Sequence, residues 1–174
     1  IKDLERTGFL TVVPRHGTYI ADYMASGNYD TLHEILKSGG QHMTPERVVA
    51  LVETRNAVEG GALIRLAKEH TDEDIKTLEA HIELFKNARG KGLSAAELGV
   101  MTKDFHYLVC KLSRNEVFQL LMNSFTEISQ DLWTYCAGYW GIDELIEQSE
   151  HITELVEQGR GLEAQVYITD KFDQ

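Results

Sequence analysis

Thr44-Pro45-Glu46-Arg47-Val48-Val49-Ala50-Leu51-Val52-Glu53-Thr54-Arg55-Asn56-Ala57-Val58-Glu59, running on to Leu63, Leu66 and Ala67, is the stretch that decides the fold class. Thr44 can cap a helix through its hydroxyl. Pro45 then takes the first helical position, where its missing N–H would have had no partner in any case. Val48, Leu51, Val52, Val58, Ala62, Leu63, Leu66 and Ala67 fall on one broad face at helical spacing. The chain has two prolines, Pro14 and Pro45, so the helices that follow can run uninterrupted.

The same pattern repeats downstream. Thr71 followed by Asp74 opens a helix that buries Ile75, Leu78, Ile82 and Phe85. Ser94-Ala95-Ala96-Glu97 fits the capping box, in which serine and glutamate satisfy helix-end amides reciprocally. The helix it starts presents Leu98, Met101, Phe105, Leu108, Val109 and Leu112. Asn115 caps one long segment reaching from Val117 through Ile128 to Leu132, which Gly138 and Gly141 are expected to break. Two last helices are expected at about 142–158 and 162–172, parted by Gly159-Arg160-Gly161. Short links between amphipathic helices predict an all-α, antiparallel bundle of six or seven helices.

The first stretch reads differently. Phe9-Leu10-Thr11-Val12-Val13 and Thr18-Tyr19-Ile20-Ala21 are short strands joined by Pro14-Arg15-His16-Gly17, a β-hairpin. Residues 1–7 resemble the last turns of a helix, with Gly8 as its stop, so the chain is expected to begin inside a structural unit. A short stripe of Leu32, Ile35 and Leu36 ends at Gly39-Gly40. The expected division is 1–22 for the helix end and hairpin, 23–30 for a linker and 31–174 for the helical domain.

Composition narrows the function. With 43% hydrophobic and 26% charged residues over 174 positions, the chain is ordinary globular material rather than a disordered one. Acidic residues outnumber basic ones 28 to 17, giving a charge of −11 that repels phosphate backbones from the general surface. No apolar run approaches the roughly 18 residues of a membrane span. No signal peptide opens the sequence, so a soluble, cytoplasmic protein is expected. Cys110 and Cys136 are too few for a disulfide framework or a thiolate zinc site.

Few residues carry chemistry. His106, on the apolar face with Met101, Phe105 and Val109, and His151, on a later helix, can face one bundle interior as a metal or anion site. By themselves they read more readily as satisfied core or surface histidines. Thr102 shares the face of His106 one turn earlier, but its hydroxyl is a poor ligand for divalent cations. Asp104 lies on roughly the opposite side. Arg55 offers a planar fork for carboxylate or phosphate, or an ordinary ion pair with Glu59 at i+4. Trp133, Tyr135, Tyr139 and Trp140 can line a pocket, fill the core or form a subunit contact. There is no glycine-flanked nucleophilic serine, phosphate loop or HExxH, and Cys110 reads as an inert core thiol. No catalytic residue is assigned; a helical-bundle, metal-dependent enzyme is the weaker reading, and a purely structural dimerisation module is a third.

Lys2-Asp3-Leu4-Glu5-Arg6-Thr7-Gly8-Phe9-Leu10 and Val13-Pro14-Arg15-His16-Gly17-Thr18-Tyr19-Ile20 resemble the recognition-helix end and wing of GntR-type winged helix-turn-helix regulators. The remainder resembles the ligand-sensing, FCD-type domain of the FadR subfamily. Its landmarks are Glu53-Thr54-Arg55-Asn56-Ala57-Val58-Glu59, Phe105-His106 with Ser113-Arg114-Asn115, and Glu150-His151-Ile152-Thr153. The resemblance implies a homodimeric, DNA-binding regulator of transcription, a repressor by family, that binds a small organic-acid effector and no membrane. Arg55, Thr102, His106 and His151 are then the effector site, and Arg15 and His16 the DNA contacts of the wing. The front of the DNA-binding domain, which would hold most of the recognition helix, is not found in the sequence.

Many members of the family the chain resembles hold a divalent metal, and the resemblance matches His106 and His151 to two of its ligands. Thr102 stands where an acidic ligand is expected, and the final helix offers Asp170, Lys171 or Asp173 in place of a histidine. The resemblance thus implies at most zinc or nickel with an incomplete ligand set. A fatty acyl-CoA effector is the alternative within the same subfamily.

Overall fold

The computed structural model describes residues 1–38 and 44–172, apart from the side chains at 38, 127, 128 and 172. Gly39-Gly40, Asp173 and the side chain of Ile128 therefore lie outside the described residues. Among those described, nine helices and one two-stranded hairpin form two compact units, Ile1–Thr44 and Pro45–Gln174. This is the mostly helical architecture with an N-terminal hairpin that the periodicity predicts. No described helix is long and apolar enough to cross a membrane.

In the first unit, α1 (Lys2–Arg6) stops at Gly8, whose φ of +78° suits a residue without Cβ. Strands β1 (Leu10–Val13) and β2 (Gly17–Ile20) pair antiparallel, with Val13 opposite Gly17 and Leu10 opposite Ile20. Arg15 sits at the tip with φ of +68°. The stretch 23–30 contains α2 (Tyr23–Ser26) and the start of α3 (Tyr29–Ser38). Two strands alone are marginal, and this hairpin leans on its own unit. The ring of Phe9 tilts against Tyr23 at 5.4 Å, and Ala21 N–H donates to the Phe9 carbonyl. Buried Thr31 donates through its hydroxyl to the Thr7 carbonyl at 2.7 Å, tying α3 to the end of α1.

The second unit holds α4 (Pro45–Glu69), α5 (Asp72–Ala88), α6 (Ala95–Leu112), α7 (Glu116–Ser124), α8 (Thr126–Glu157) and α9 (Gly161–Phe172). Both capping boxes form: Thr71 with Asp74, and Ser94 with Glu97. Each satisfies two amides that the helix geometry leaves over. The core is built around Leu63, Leu66, Phe85, Phe105, Val109 and Trp133, all essentially sealed from solvent.

Two boundaries differ from the sequence expectation. The long segment after Asn115 is interrupted at Phe125 (φ −93°, ψ 1°), which caps α7 and leads into α8. The later break occurs at Gly141 alone (φ +73°, ψ +171°), a conformation glycine adopts without strain, while Gly138 stays helical.

Gly99 sets how closely α6 and α8 approach. A Cβ there would stand 2.8 Å from the Thr134 backbone nitrogen and 2.9 Å from its Cα. Backbone cannot swing aside as a side chain can, so the contact admits only glycine. We expect Gly99→Ala to lower unfolding free energy by about 1–3 kcal/mol in urea titration, as overpacking generally does.

Candidate functional site

Four helices of the second unit converge on Arg55. From α4 come Leu51, Arg55 and Glu59; from α6, His106 and Tyr107; from α7 and its cap, Met122 and Phe125; from α8, Ser129, Leu132 and Trp133. Positions 51, 55, 59, 62 and 66 recur at spacings of four and three, so Arg55 and Glu59 share the inward stripe with Ala62 and Leu66. The helix therefore carries a cation and an anion into the interior. Arg55 is 7% exposed, His106 6% and Glu59 fully buried.

They compensate one another. The Arg55 guanidinium pairs with Glu59 at 2.6 Å, and its Nη2 lies 3.0 Å from His106 Nδ1. His106 Nδ1 also contacts Glu59 Oε1. A carboxylate accepts and cannot donate, so this contact assigns the Nδ1 proton to His106 and leaves Nε2 as the acceptor. Trp133 lies against both partners: the guanidinium carbon is 4.4 Å from its ring, and the imidazole stacks at 4.7 Å and 23°. Cation–π attraction gains strength where water is excluded.

The electrostatics follow from the geometry. Burial pushes the Glu59 carboxyl up, but Arg55 and His106 outweigh it and hold the group below its ordinary value, ionised. Burial drives His106 down, with the Arg55 charge acting in the same sense, and this outweighs the pull of Glu59. The histidine is neutral and the group as a whole carries no net charge.

A narrow cleft of about 20 Å³, room for roughly one water molecule, opens beside this group between Leu51, Arg55, Tyr107, Met122, Phe125, Ser129, Leu132 and Trp133. Most of these side chains are apolar. Arg55 contributes the cation, and Tyr107 and Ser129 contribute hydroxyls.

The other sequence-predicted residues sit differently. Thr102 is buried one turn before His106, as its spacing requires, but its hydroxyl donates to the Leu98 carbonyl at 2.8 Å. His151, expected to face the same interior as His106, has a side chain 44% exposed. It packs edge-on against Tyr167 at 4.6 Å, with Glu154 at 3.9 Å. Lys171 pairs with Glu144 at 2.5 Å, and Asp170 is exposed. Of the aromatic cluster, only Trp133 lines the cleft; Trp140 packs partly buried against the core, and Tyr135 and Tyr139 are exposed. Arg15 and His16 are exposed at the hairpin tip of the first unit.

These residues do not fit a divalent metal. Among the described residues, no three His, Cys, Asp or Glu side chains converge as a ligand group. The Arg55 guanidinium stands 3.0 Å from the His106 ring nitrogen, where it would repel a second cation. Burial pushes the thiols of Cys110 and Cys136 up, so both stay protonated and inert.

Sequence reasoning found Arg55 and His106 but missed Glu59 as an interior residue, together with Tyr107, Phe125 and Ser129. The recurrence of Glu59 with Ala62 and Leu66 was the signal available.

Comparison with known proteins follows the same outline. The FCD domain family model matches residues 50–172. None of the curated proteins matches the chain. Among solved structures, the Streptococcus agalactiae GntR is similar in fold, with a TM-score of 0.60 at 16% identity, covering 99% of this chain and 76% of that one.

The buried charges make stability pH-dependent. His106 lies below its ordinary value near 6.5, so just below that pH the unfolded chain holds a proton that the folded one lacks. Stability then rises with pH and is complete above about 6.5. Glu59 lies below 4.5, and its contribution is lost as pH falls beneath that value. We expect urea-derived stability to decline from pH 7 to pH 5, and His106→Gln to flatten that decline.

Proposed function

Because the chain belongs to the FCD domain family, we propose that it is a metabolite-responsive, DNA-binding transcription regulator rather than an enzyme. The unit from Pro45 onward binds a small organic acid, and the hairpin unit belongs to the DNA-binding part. The observation that carries this reading is the guanidinium of Arg55 on the wall of an otherwise largely apolar cleft. An arginine fork holds a carboxylate with two parallel bonds, and the low dielectric strengthens them.

Coupling to DNA requires two arrangements of a dimer that the effector binds unequally. Operator half-sites lie about one helical turn apart, so a shift of a few ångströms between two wings changes affinity. Arg15 and His16, exposed at the hairpin tip, suit phosphate or minor-groove contact, which positions without specifying sequence. A repressor acting as a cytoplasmic homodimer is the form this takes.

A fatty acyl-CoA effector has less support, since the cleft lining offers one guanidinium for a headgroup that bears several phosphates.

Two measurements test the reading. Arg55→Met should weaken a carboxylic-acid ligand at least tenfold by calorimetry while the far-ultraviolet circular dichroism stays helical, since a charge-assisted hydrogen bond contributes about 1.5–3 kcal/mol. Unchanged affinity would contradict the site. Arg15→Ala should lower duplex-DNA affinity equally for all sequences and reduce the salt slope by about one, as loss of a phosphate contact does.

A further inference from the structure

The cleft beside Arg55 has room for about one water molecule, so nothing larger enters while its walls stay in place. Packing decides which wall can move. Tyr107 stands on α6, whose Phe105, His106, Val109 and Cys110 are buried. Trp133 is itself buried on α8, with Cys136 and Ala137 a turn further on. Leu51 lies on α4, which continues unbroken into the buried stretch from Arg55 to Ala67. Walls seated in this way open only with the core itself.

α7 is different. Of its nine residues Met122 alone is buried, while Val117, Leu120 and Leu121 are exposed. A second foothold is Phe118, which packs on Gly61 of α4, where an added Cβ would stand 2.9 Å from the ring. Both ends are breaks in the helical backbone. Before α7, Arg114 holds a φ of +57°, which is uncommon for a residue with a Cβ, and Asn115 (φ −101°, ψ +99°) is extended. After it, Phe125 starts α8 without a side-chain cap.

These breaks are anchored from outside. Arg65 Nε donates to the Ser113 carbonyl at 2.9 Å, and Arg114 donates to the Asp74 carboxylate at 2.7 Å. Beyond Phe125, the hydroxyls of Thr126 and Tyr107 hydrogen-bond at 3.1 Å. Asn115 instead accepts from the amides of Val117 and Phe118, so the cap belongs to α7 and travels with it. A short, lightly seated helix between two fixed breaks can turn as a body and keep its own hydrogen bonds.

We propose that α7 is a lid. It swings off α4 about Arg114–Asn115 and Phe125 and draws Met122 out of the cleft, while α4, α5, α6 and α8 stay packed. This goes beyond the effector reading and rests on it only for what passes the lid; the motion itself follows from the packing.

The test needs no ligand, so its failure leaves the Arg55 site to its own calorimetry. Met122→Cys puts a thiol under the lid, and Cys110, sealed in the core, is the internal reference. The whole chain is treated with iodoacetamide, and each thiol is followed by peptide mass spectrometry relative to its rate in the unfolded chain. The thiol at position 122 should react at least about a hundredfold faster than Cys110, because local opening is easier than global unfolding. Its rate should hardly change in low urea, since lid opening exposes little surface. Equal rates with the same steep urea dependence mean that α7 opens only with the core, and overturn the proposal. If this variant loses its helical circular dichroism, the unaltered chain decides, through the initial rate at which hydrogen peroxide oxidises Met122. A rate nearly flat through low urea supports the lid, and one that climbs steeply with urea overturns it.

Discussion

Three polar side chains, Arg55, Glu59 and His106, sit buried on helix faces that are otherwise largely apolar. Each alone would be strongly destabilising in the interior, because an isolated buried charge or an unbonded polar atom has no water to replace its partner. Together they form a neutral, hydrogen-bonded group seated on Trp133. Apolar residues of similar volume would often hold a bundle together at least as well. Keeping a guanidinium there makes sense when something anionic must reach it, and the adjoining cleft provides the route. The rest of the second unit serves to hold that group in register.

How it does so is visible at the helix contacts. The close approach at Gly99 brings the backbone of α6 to α8 near Thr134, and so fixes His106 against Trp133. The interruption at Phe125 lets α7 and α8 lie at different directions, which turns Met122 and Phe125 toward one wall of the cleft. The kink at Gly141 redirects the later part of α8, and His151 on that part ends beside Tyr167 and half exposed. One long uninterrupted helix could not supply both surfaces.

Much of this was legible in the residues. Helix starts with a capping signature, at Thr71 and Ser94, fell where local chemistry put them, because a cap is decided within four residues. The hairpin was legible for the same reason. Arg55 and His106 were legible as candidates because their types are rare on apolar faces, and the stripe told which way they point. What was not legible depends on contacts distant in sequence. Nothing local distinguishes Gly138, which stays helical, from Gly141, which does not. The i+4 ion pair of Glu59 with Arg55 was legible and forms, but its burial was not drawn from the register of Glu59 with Ala62 and Leu66. Whether His151 joins His106 depends on how far α8 turns at Gly141, which no local pattern specifies.

The central claim is that a carboxylate occupies the cleft beside Arg55. The most direct measurement is a crystal structure of the chain grown with saturating acetate. The account predicts its carboxylate within hydrogen-bonding distance of the Arg55 guanidinium. Acetate bound elsewhere, or a cleft left empty at saturation, would contradict it.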